Sequence, residues 1–545
     1  MNYNELADLL YPNIDKTIED LEKMYPERNL GDKCEVCRFA PSPTGRMHMG
    51  NLYASFIPEV MANQTNGVFI LRIEDTDNKR AIENGIELIL NDLENYNYKV
   101  DEHPLKGGEY GPYIQTQRKE IYHIVAKYLV SIGRAYPCFC SEEDLTKMRE
   151  LQENKKARIG YYGRYAKCRS LSLEEIKERI ANGDKWVLRL KSTGNFNKKI
   201  VFKDLVKGTI ELPENDIDQV LIKSDGIPPY AFAHVCDDHF MRVTTVTRDD
   251  SYISSVPYHL EIWDACGFKV PKFAHLLPVN KKEGETIRKI SKRKDPEAAV
   301  SFYHERGIPI EAIKLYFATI MNSNFEGWFL QNPDKSFREF EFSFSKMSKS
   351  GPIFDLEKLI NLSKNYLSKL KASEVYENLL GWAKEYDDDF YNLINNYKDY
   401  TTSILNIERE QKKPRKDYSC YSEIKSLIWY MYDELYLNLN YEWQSITDKE
   451  EINKILNTYI EKYYNVDDKE SWFNNIKILS EELGYASNMK DYKENPDNYK
   501  GSVADVSTVL RVALTTKSNT PDLYEIMRLL GKERIEKRIL SIINK

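Results

Sequence analysis

The sequence holds no apolar run of about 18 residues, so it offers no candidate membrane-spanning helix. Its first residues, Met1-Asn2-Tyr3-Asn4-Glu5, lack the basic stretch and apolar core of a secretory leader. Cysteine is scarce. Eight in 545 residues exclude a disulfide scaffold and predict a reducing, cytoplasmic setting. Positive charge is not in excess either: the formal net charge is -7. Any nucleic-acid surface must therefore be a local patch. Histidine is absent beyond His304, so chemistry that needs imidazole belongs to the first part of the chain. Solenoid-type repeats and long Gly/Ser or Pro-rich linkers are also missing.

What is present is a folding composition, with 41% hydrophobic and 30% charged residues. The length exceeds what one core usually organises, so several domains are expected. Leu6, Leu9 and Leu10 predict a leading helix, followed by a charged stretch ending at Gly31. Val36-Cys37-Arg38-Phe39-Ala40 reads as a strand. The prolines and glycine of Pro41-Ser42-Pro43-Thr44-Gly45 then force a turn. Leu52, Phe56, Val60 and Met61 share one helical face that Gly67 ends, and Val68–Ile73 is again an apolar strand. Strand, helix and strand make one βαβ crossover and hence a parallel pair.

Beyond residue 380 the pattern changes. Ile424, Leu427, Ile428, Met431 and Leu435 repeat at helical spacing, as do Leu523, Ile526, Leu529 and Leu530. Gly531 marks a helix stop before Ile535 and Ile539, and the whole of 381–545 reads as helical. It carries 24 Lys+Arg against 29 Asp+Glu. Its one basic cluster, Lys412, Lys413, Arg415 and Lys416, reads as a solvated loop around Pro414.

The loop after the first strand lies at the carboxyl edge of the sheet, where open α/β folds bind ligands. It has neither a Gly-x-Gly-x-x-Gly nor a Walker A pattern. It carries His48-Met49-Gly50-Asn51 at a helix start instead. Unpaired N–H groups and the dipole end suit phosphate there, and His48 can donate to a phosphate oxygen. Gly50 lets a base or ribose approach the backbone. A lone histidine in such a place is more often a helix cap or a buried partner than a catalyst.

Three ordered segments carry a family resemblance: Arg38-Phe39-Ala40-Pro41-Ser42-Pro43-Thr44-Gly45, then His48-Met49-Gly50-Asn51, then Ile73-Glu74-Asp75-Thr76-Asp77. Together they resemble the glutamyl-tRNA synthetases, which are class I aminoacyl-tRNA synthetases. His48–Asn51 is similar to their "HIGH" motif, with Met49 and Asn51 at its second and fourth letters. The class also has a "KMSKS" loop, for which two segments compete. Lys346-Met347-Ser348-Lys349-Ser350 matches letter for letter. Lys289-Ile290-Ser291-Lys292-Arg293 follows a plausible strand, Phe273–Leu277, and a polar loop ending at Thr286, in the family's order. We assign the catalytic loop to the second. Without the first motif, Arg288–Lys294 would read as a solvated basic turn.

The resemblance implies an α/β Rossmann-like class I catalytic domain with an inserted acceptor-binding domain and an all-α C-terminal anticodon-binding domain. The expected limits are 1–30 for an N-terminal helical extension, 31–137 and 216–300 for the two catalytic halves, and 138–215 for the insert. A stem-contact region would span 301–380, and the anticodon-binding domain 381–545. The implied reaction ligates L-glutamate to the 3′ end of tRNA(Glu) through a glutamyl-adenylate. Non-discriminating use of tRNA(Gln) and a non-catalytic tRNA-binding paralogue are the alternatives. Glutaminyl enzymes usually have Pro-Glu-Pro where this chain has Pro41-Ser42-Pro43, which favours glutamate.

By the same resemblance, His48, Gly50 and Lys292 are catalytic. Pro41, Gly45, His48, Gly50, Asn51, Lys289, Ser291, Lys292 and Arg293 bind ATP. Arg38, Ala40, Ser42, Glu74, Tyr230, His234 and Arg248 bind glutamate. Guanidinium suits bidentate carboxylate recognition, and a carboxylate suits the ammonium. His234 replaces a common Asn, and two roles are open to it: a hydrogen-bond role, or a charge gained near pH 6 to 7, roughly its model range. Ser251 stands where an acidic residue is frequent. Magnesium arrives with the ATP phosphates, and no protein metal ligand is assigned. Cys138, Cys140 and Cys168 resemble part of a zinc knot. A fourth ligand must be sought among tyrosines such as Tyr161, so the metal-free state is the expectation. Asp75-Thr76-Asp77 is read as a structural strand end, and a monomer is expected.

Overall fold

The computed structural model describes every residue except 78–81, 292, 438 and 545. It forms two compact units, Met1–Val300 with Lys314–Asp355, and Ser301–Ile313 with Leu356–Lys545.

The first unit begins with α1 (Tyr3–Leu10) and α2 (Ile18–Met24). The charged stretch thus hides a second helix, started by a capping box between Thr17 and Asp20. Leu6, Leu10 and Leu21 join the main core of this unit. Next come β1 (Val36–Phe39), α3 (Met49–Gln64) and β2 (Val68–Leu71). β1 and β2 pair in parallel with Val36 opposite Val68. The left-handed residue that ends α3 is Asn66 at φ 53°, and not the glycine beside it. Gly67 is required for another reason: a Cβ there would lie 1.9 Å from the carbonyl oxygen of Glu35.

The following strands are β3 (Ala135–Cys138), β4 (Val187–Leu190), β5 (Lys199–Asp204), β6 (Gly208–Pro213) and β7 (Val220–Ile222). Then come α4 (Tyr230–Phe240), β8 (Thr245–Asp249) and β9 (Lys272–Leu276). The main sheet runs β2-β1-β8-β9-β5-β6. β2, β1, β8, β9 and β5 are parallel, and β6 closes the edge antiparallel to β5. β3, β4 and β7 form a separate antiparallel sheet. The β5–β6 hairpin lies inside the stretch expected as an insert, yet it extends the main sheet. The polar loop expected before Thr286 is a hairpin of β10 (Asn280–Glu283) and β11 (Thr286–Lys289). β12 (Ile353–Phe354) pairs in parallel with β10.

The second unit contains helices and, among the described residues, no strand. Ile424, Ile428 and Met431 are buried in its core, as are Ile526, Leu530, Ile535 and Ile539. Leu427, read as part of the same apolar face, is 37% exposed. Gly531, at φ 77°, interrupts the helical run Leu523–Ile543 where the sequence placed a stop.

Candidate active site

A cavity of about 340 Å³ opens at the carboxyl ends of β1, β2, β8 and β9, within the roughly 300–1,000 Å³ typical of ligand pockets. The end of β1 and its turn contribute Arg38, Ala40, Pro41 and Ser42; the start of α3 contributes His48, Gly50 and Asn51. Glu74 follows β2, Tyr230 opens α4, and Arg248 lies near the end of β8. Leu276, Leu277 and Val279 form an apolar wall, and Lys289 and Ile290 close the circuit.

The parallel sheet explains this convergence. Arg38, Ala40, Glu74 and Arg248 sit at or just beyond strand ends, and His48, Gly50, Asn51 and Tyr230 come from helix starts at the same edge. Of the expected ligands, Gly45, His234, Ser291 and Arg293 are not at the wall. Lys292 lies outside the described residues. None of Lys346–Ser350 lines the cavity. Thr247, Asp249 and Tyr252 do line it and were not foreseen. Their position flanking Arg248 was the only signal.

His48 is the N-cap of α3, its Nδ1 accepting from the Asn51 N–H at 3.1 Å. A neutral ring with Nδ1 as acceptor carries its proton on Nε2. The cap and the phosphate-donor readings are therefore compatible.

The charged side chains are fixed from beneath by α4. Asp238 accepts from Arg38 Nε at 3.1 Å, from Arg72 Nη1 at 2.7 Å and from His234 Nδ1 at 3.0 Å. Burial opposes the charge of Asp238, but Arg38 and Arg72 override it and hold the carboxyl well below its ordinary range. Arg72 also donates to Glu74 at 3.0 Å. Burial lifts the Glu74 carboxyl above its usual value, with Arg72 opposing the shift. Asp237 binds Arg118 at 2.6 Å and Gln115 at 2.9 Å. Removing one member of such a buried network leaves an uncompensated charge. Sequence reading missed Arg72, Asp237 and Asp238, because a carboxylate on a helix face shows its partners only once the chain is folded.

His234 is not poised to titrate near neutrality. It is fully buried, stacks on Tyr230 at 4.9 Å, and burial lowers its pKa to about 3. Of the two roles open to it, charge near pH 6 to 7 is the one set aside, and the hydrogen-bond role is the one its contacts with Asp238 and Arg248 support.

The basic loop is no free turn. Arg288 binds Asp295 through two nitrogens, at 2.7 and 2.8 Å, and Asp295 accepts from the Ser291 N–H at 2.9 Å. Arg288 holds the Asp295 carboxyl below its ordinary range, helped by Ser291 and Lys281. Lys289 is left exposed with Asp249 at 3.8 Å. Asp75 accepts from the N–H and hydroxyl of Thr116, consistent with a structural strand end.

Away from the cavity, the thiols of Cys138, Cys140 and Cys168 lie within 4.8 Å of one another. The Tyr161 hydroxyl is 3.4 Å from the sulfurs of Cys138 and Cys140. Cys140 and Cys168 sulfurs are 3.7 Å apart. Zinc bonds sulfur at about 2.3 Å in a tetrahedron, which brings ligand atoms to such separations. The Tyr161 hydroxyl, which also accepts from the Cys168 N–H at 3.0 Å, stands beside the three thiols where a fourth ligand was sought.

Residues 35–361 match the model of the class I tRNA synthetase (E and Q) catalytic domain, and 412–543 that of an anticodon binding domain. The chain is 46% identical to a glutamate--tRNA ligase of Acetivibrio thermocellus over 547 residues, covering all of both proteins. It is 43% identical to a glutamate--tRNA ligase of Clostridium beijerinckii, again over both full lengths. A crystal structure of a glutamate tRNA ligase from Elizabethkingia meningosepticum in complex with its amino acid aligns at a TM-score of 0.75 and 24% identity. That alignment covers 94% of this chain and all of the other.

Proposed function

This chain belongs to the glutamyl-tRNA synthetases of class I, and from that premise we propose how its residues ligate L-glutamate to tRNA(Glu). In the first step a glutamate α-carboxylate oxygen attacks the α-phosphate of ATP. Pyrophosphate leaves and glutamyl-adenylate forms. In the second, a hydroxyl of the 3′-terminal adenosine attacks the activated carbonyl and AMP leaves. No covalent enzyme intermediate is needed, so positioning and electrostatics carry the catalysis.

The observation that carries this reading is the meeting of Arg38, Arg248 and Glu74 with the start of α3 in one cavity. Arg248 presents a guanidinium to a substrate carboxylate, and Glu74 answers the ammonium. Tyr230 packs on His234 and shapes the same wall. The N-terminus of α3, with His48, Gly50 and Asn51, receives ATP phosphate. Lys289, Lys292 and Arg293 neutralise charge on the departing pyrophosphate. Magnesium accompanies the ATP phosphates. Cys138, Cys140, Cys168 and Tyr161 hold a structural zinc away from the reaction. Adenylate formation requires bound tRNA, and the enzyme works as a cytoplasmic monomer.

Charging assays with radiolabelled glutamate and glutamine, on purified tRNA(Glu) and tRNA(Gln), test the assignment. Glutamate on tRNA(Glu) alone is the expected result. Glutamine transfer, or no charging, would overturn it, and glutamate on both tRNAs would remove the restriction to one. Pyrophosphate exchange that proceeds equally without tRNA would sink the tRNA requirement.

A further inference from the structure

The guanidinium of Arg248 is held by two imidazoles. Its Nε donates to Nε2 of His275 at 3.0 Å, and its Nη1 faces Nε2 of His234 at 3.4 Å. Each ring gives its other nitrogen to a buried carboxylate. His234 Nδ1 is 3.0 Å from Asp238, and His275 Nδ1 is 2.6 Å from Asp204. A carboxylate anion only accepts, so each ring donates from Nδ1 and offers Nε2 as an acceptor. Arginine has donors only, and this tautomer is the one that fits it. Burial lowers the pKa of both rings, which keeps them neutral beside a cation. Arg248 Nη2 is buried with no hydrogen-bond partner among the described residues, in a residue that lines the cavity.

The two carboxylates differ in what else they hold. Asp238 also binds Arg38 and Arg72. Among the described residues Asp204 binds His275 alone as a side chain, and otherwise accepts from backbone N–H groups of Val206, Lys207 and His275 at 2.8–3.0 Å. It is the last residue of β5, at the point where the β5–β6 hairpin meets β9. We infer that Asp204 is a positioning residue for substrate selection: it fixes the His275 tautomer, His275 fixes Arg248, and recognition of a substrate carboxylate thereby depends on the β5–β6 hairpin. This rests on the reading that Arg248 binds the glutamate carboxylate.

In Asp204→Asn the side-chain amide can donate to His275 Nδ1. The ring proton then moves to Nε2 and opposes the N–H of Arg248. The full-length enzyme should show a KM for L-glutamate raised roughly tenfold or more, the scale of a lost hydrogen bond to a charged group. The KM for ATP should stay within about twofold. A double-mutant cycle with Arg248→Lys separates this relay from general damage. In the Arg248→Lys background, Asp204→Asn should add less than about twofold to the glutamate KM. An equal penalty in both backgrounds would overturn the relay. So would an unchanged glutamate KM in Asp204→Asn while Arg248→Lys raises it. If Arg248→Lys itself leaves the glutamate KM unchanged, the site reading fails and not the relay alone. Should Asp204→Asn not fold, His275 variants decide. His275→Gln keeps an acceptor oxygen and should raise the glutamate KM less than His275→Phe, and equal values would reject the inference.

Discussion

The ring of His48 occupies the space that a side chain at Gly50 would need. A Cβ on Gly50 would sit 2.8 Å from Cε1 and 2.9 Å from Nδ1 of that ring. The same Nδ1 caps α3 through the Asn51 N–H. Glycine is thus demanded by the protein's own cap, whether or not a ligand is present.

Gly50→Ala should therefore act through His48. Displacing the ring costs about 1 kcal/mol of helix capping and moves the Nε2 proposed to donate to phosphate. Glutamate-dependent pyrophosphate exchange in the presence of tRNA should fall roughly a hundredfold, with only a small drop in melting temperature. Full exchange activity in a folded Gly50→Ala protein would remove the imidazole from the mechanism.

The two lysine loops make opposite predictions. Lys289 and Ile290 line the cavity, while Lys346–Ser350 lead into β12 on the flank of the hairpin. Lys292→Ala should cut adenylate formation by two orders of magnitude or so, as expected for lost charge stabilisation. Lys349→Ala should leave it within about twofold. Single-turnover adenylation measures both, and a reversed result would exchange the roles of the loops.

His234 has a consequence for acid stability. Its folded-state pKa is depressed to about 3 by burial, against about 6.5 in the unfolded chain. Between these values the unfolded state binds more protons, so stability rises with pH and falls on acidification. His234→Asn should remove one proton from this dependence, a slope of about 1.4 kcal/mol per pH unit. Denaturant unfolding at several pH values between about 4 and 6 reads the slope directly. An unchanged slope would mean that this ring is not neutral in the folded protein.

The cysteine cluster predicts a metal. Purified protein should contain about one zinc per chain by elemental analysis, the stoichiometry of a single four-coordinate site. Cys140→Ser should lose most of it, and Tyr161→Phe part of it. Protein prepared without chelator that holds no zinc would leave the four side chains as packing.

The sequence by itself determined the first crossover, the carboxyl-edge site and the helical character of the second unit, because each rests on local signals. Two prolines and a glycine after Phe39 force a turn, alternation in residue spacing separates strand from helix, and Gly531 breaks a helical run wherever it is placed. His48, Glu74, Tyr230 and Arg248 were also legible, each inside an ordered motif. Only the tertiary structure decided what holds those side chains. Asp238 reaches Arg38 across 200 positions of sequence and Asp204 reaches His275 across 71, and no periodicity encodes such a pairing. Tyr161 joins three cysteines because a turn brings its hydroxyl to them, and His234 loses its charge because the fold removes water from it. Local chemistry is written in neighbouring residues, whereas burial and long-range pairing exist only once the chain has closed on itself.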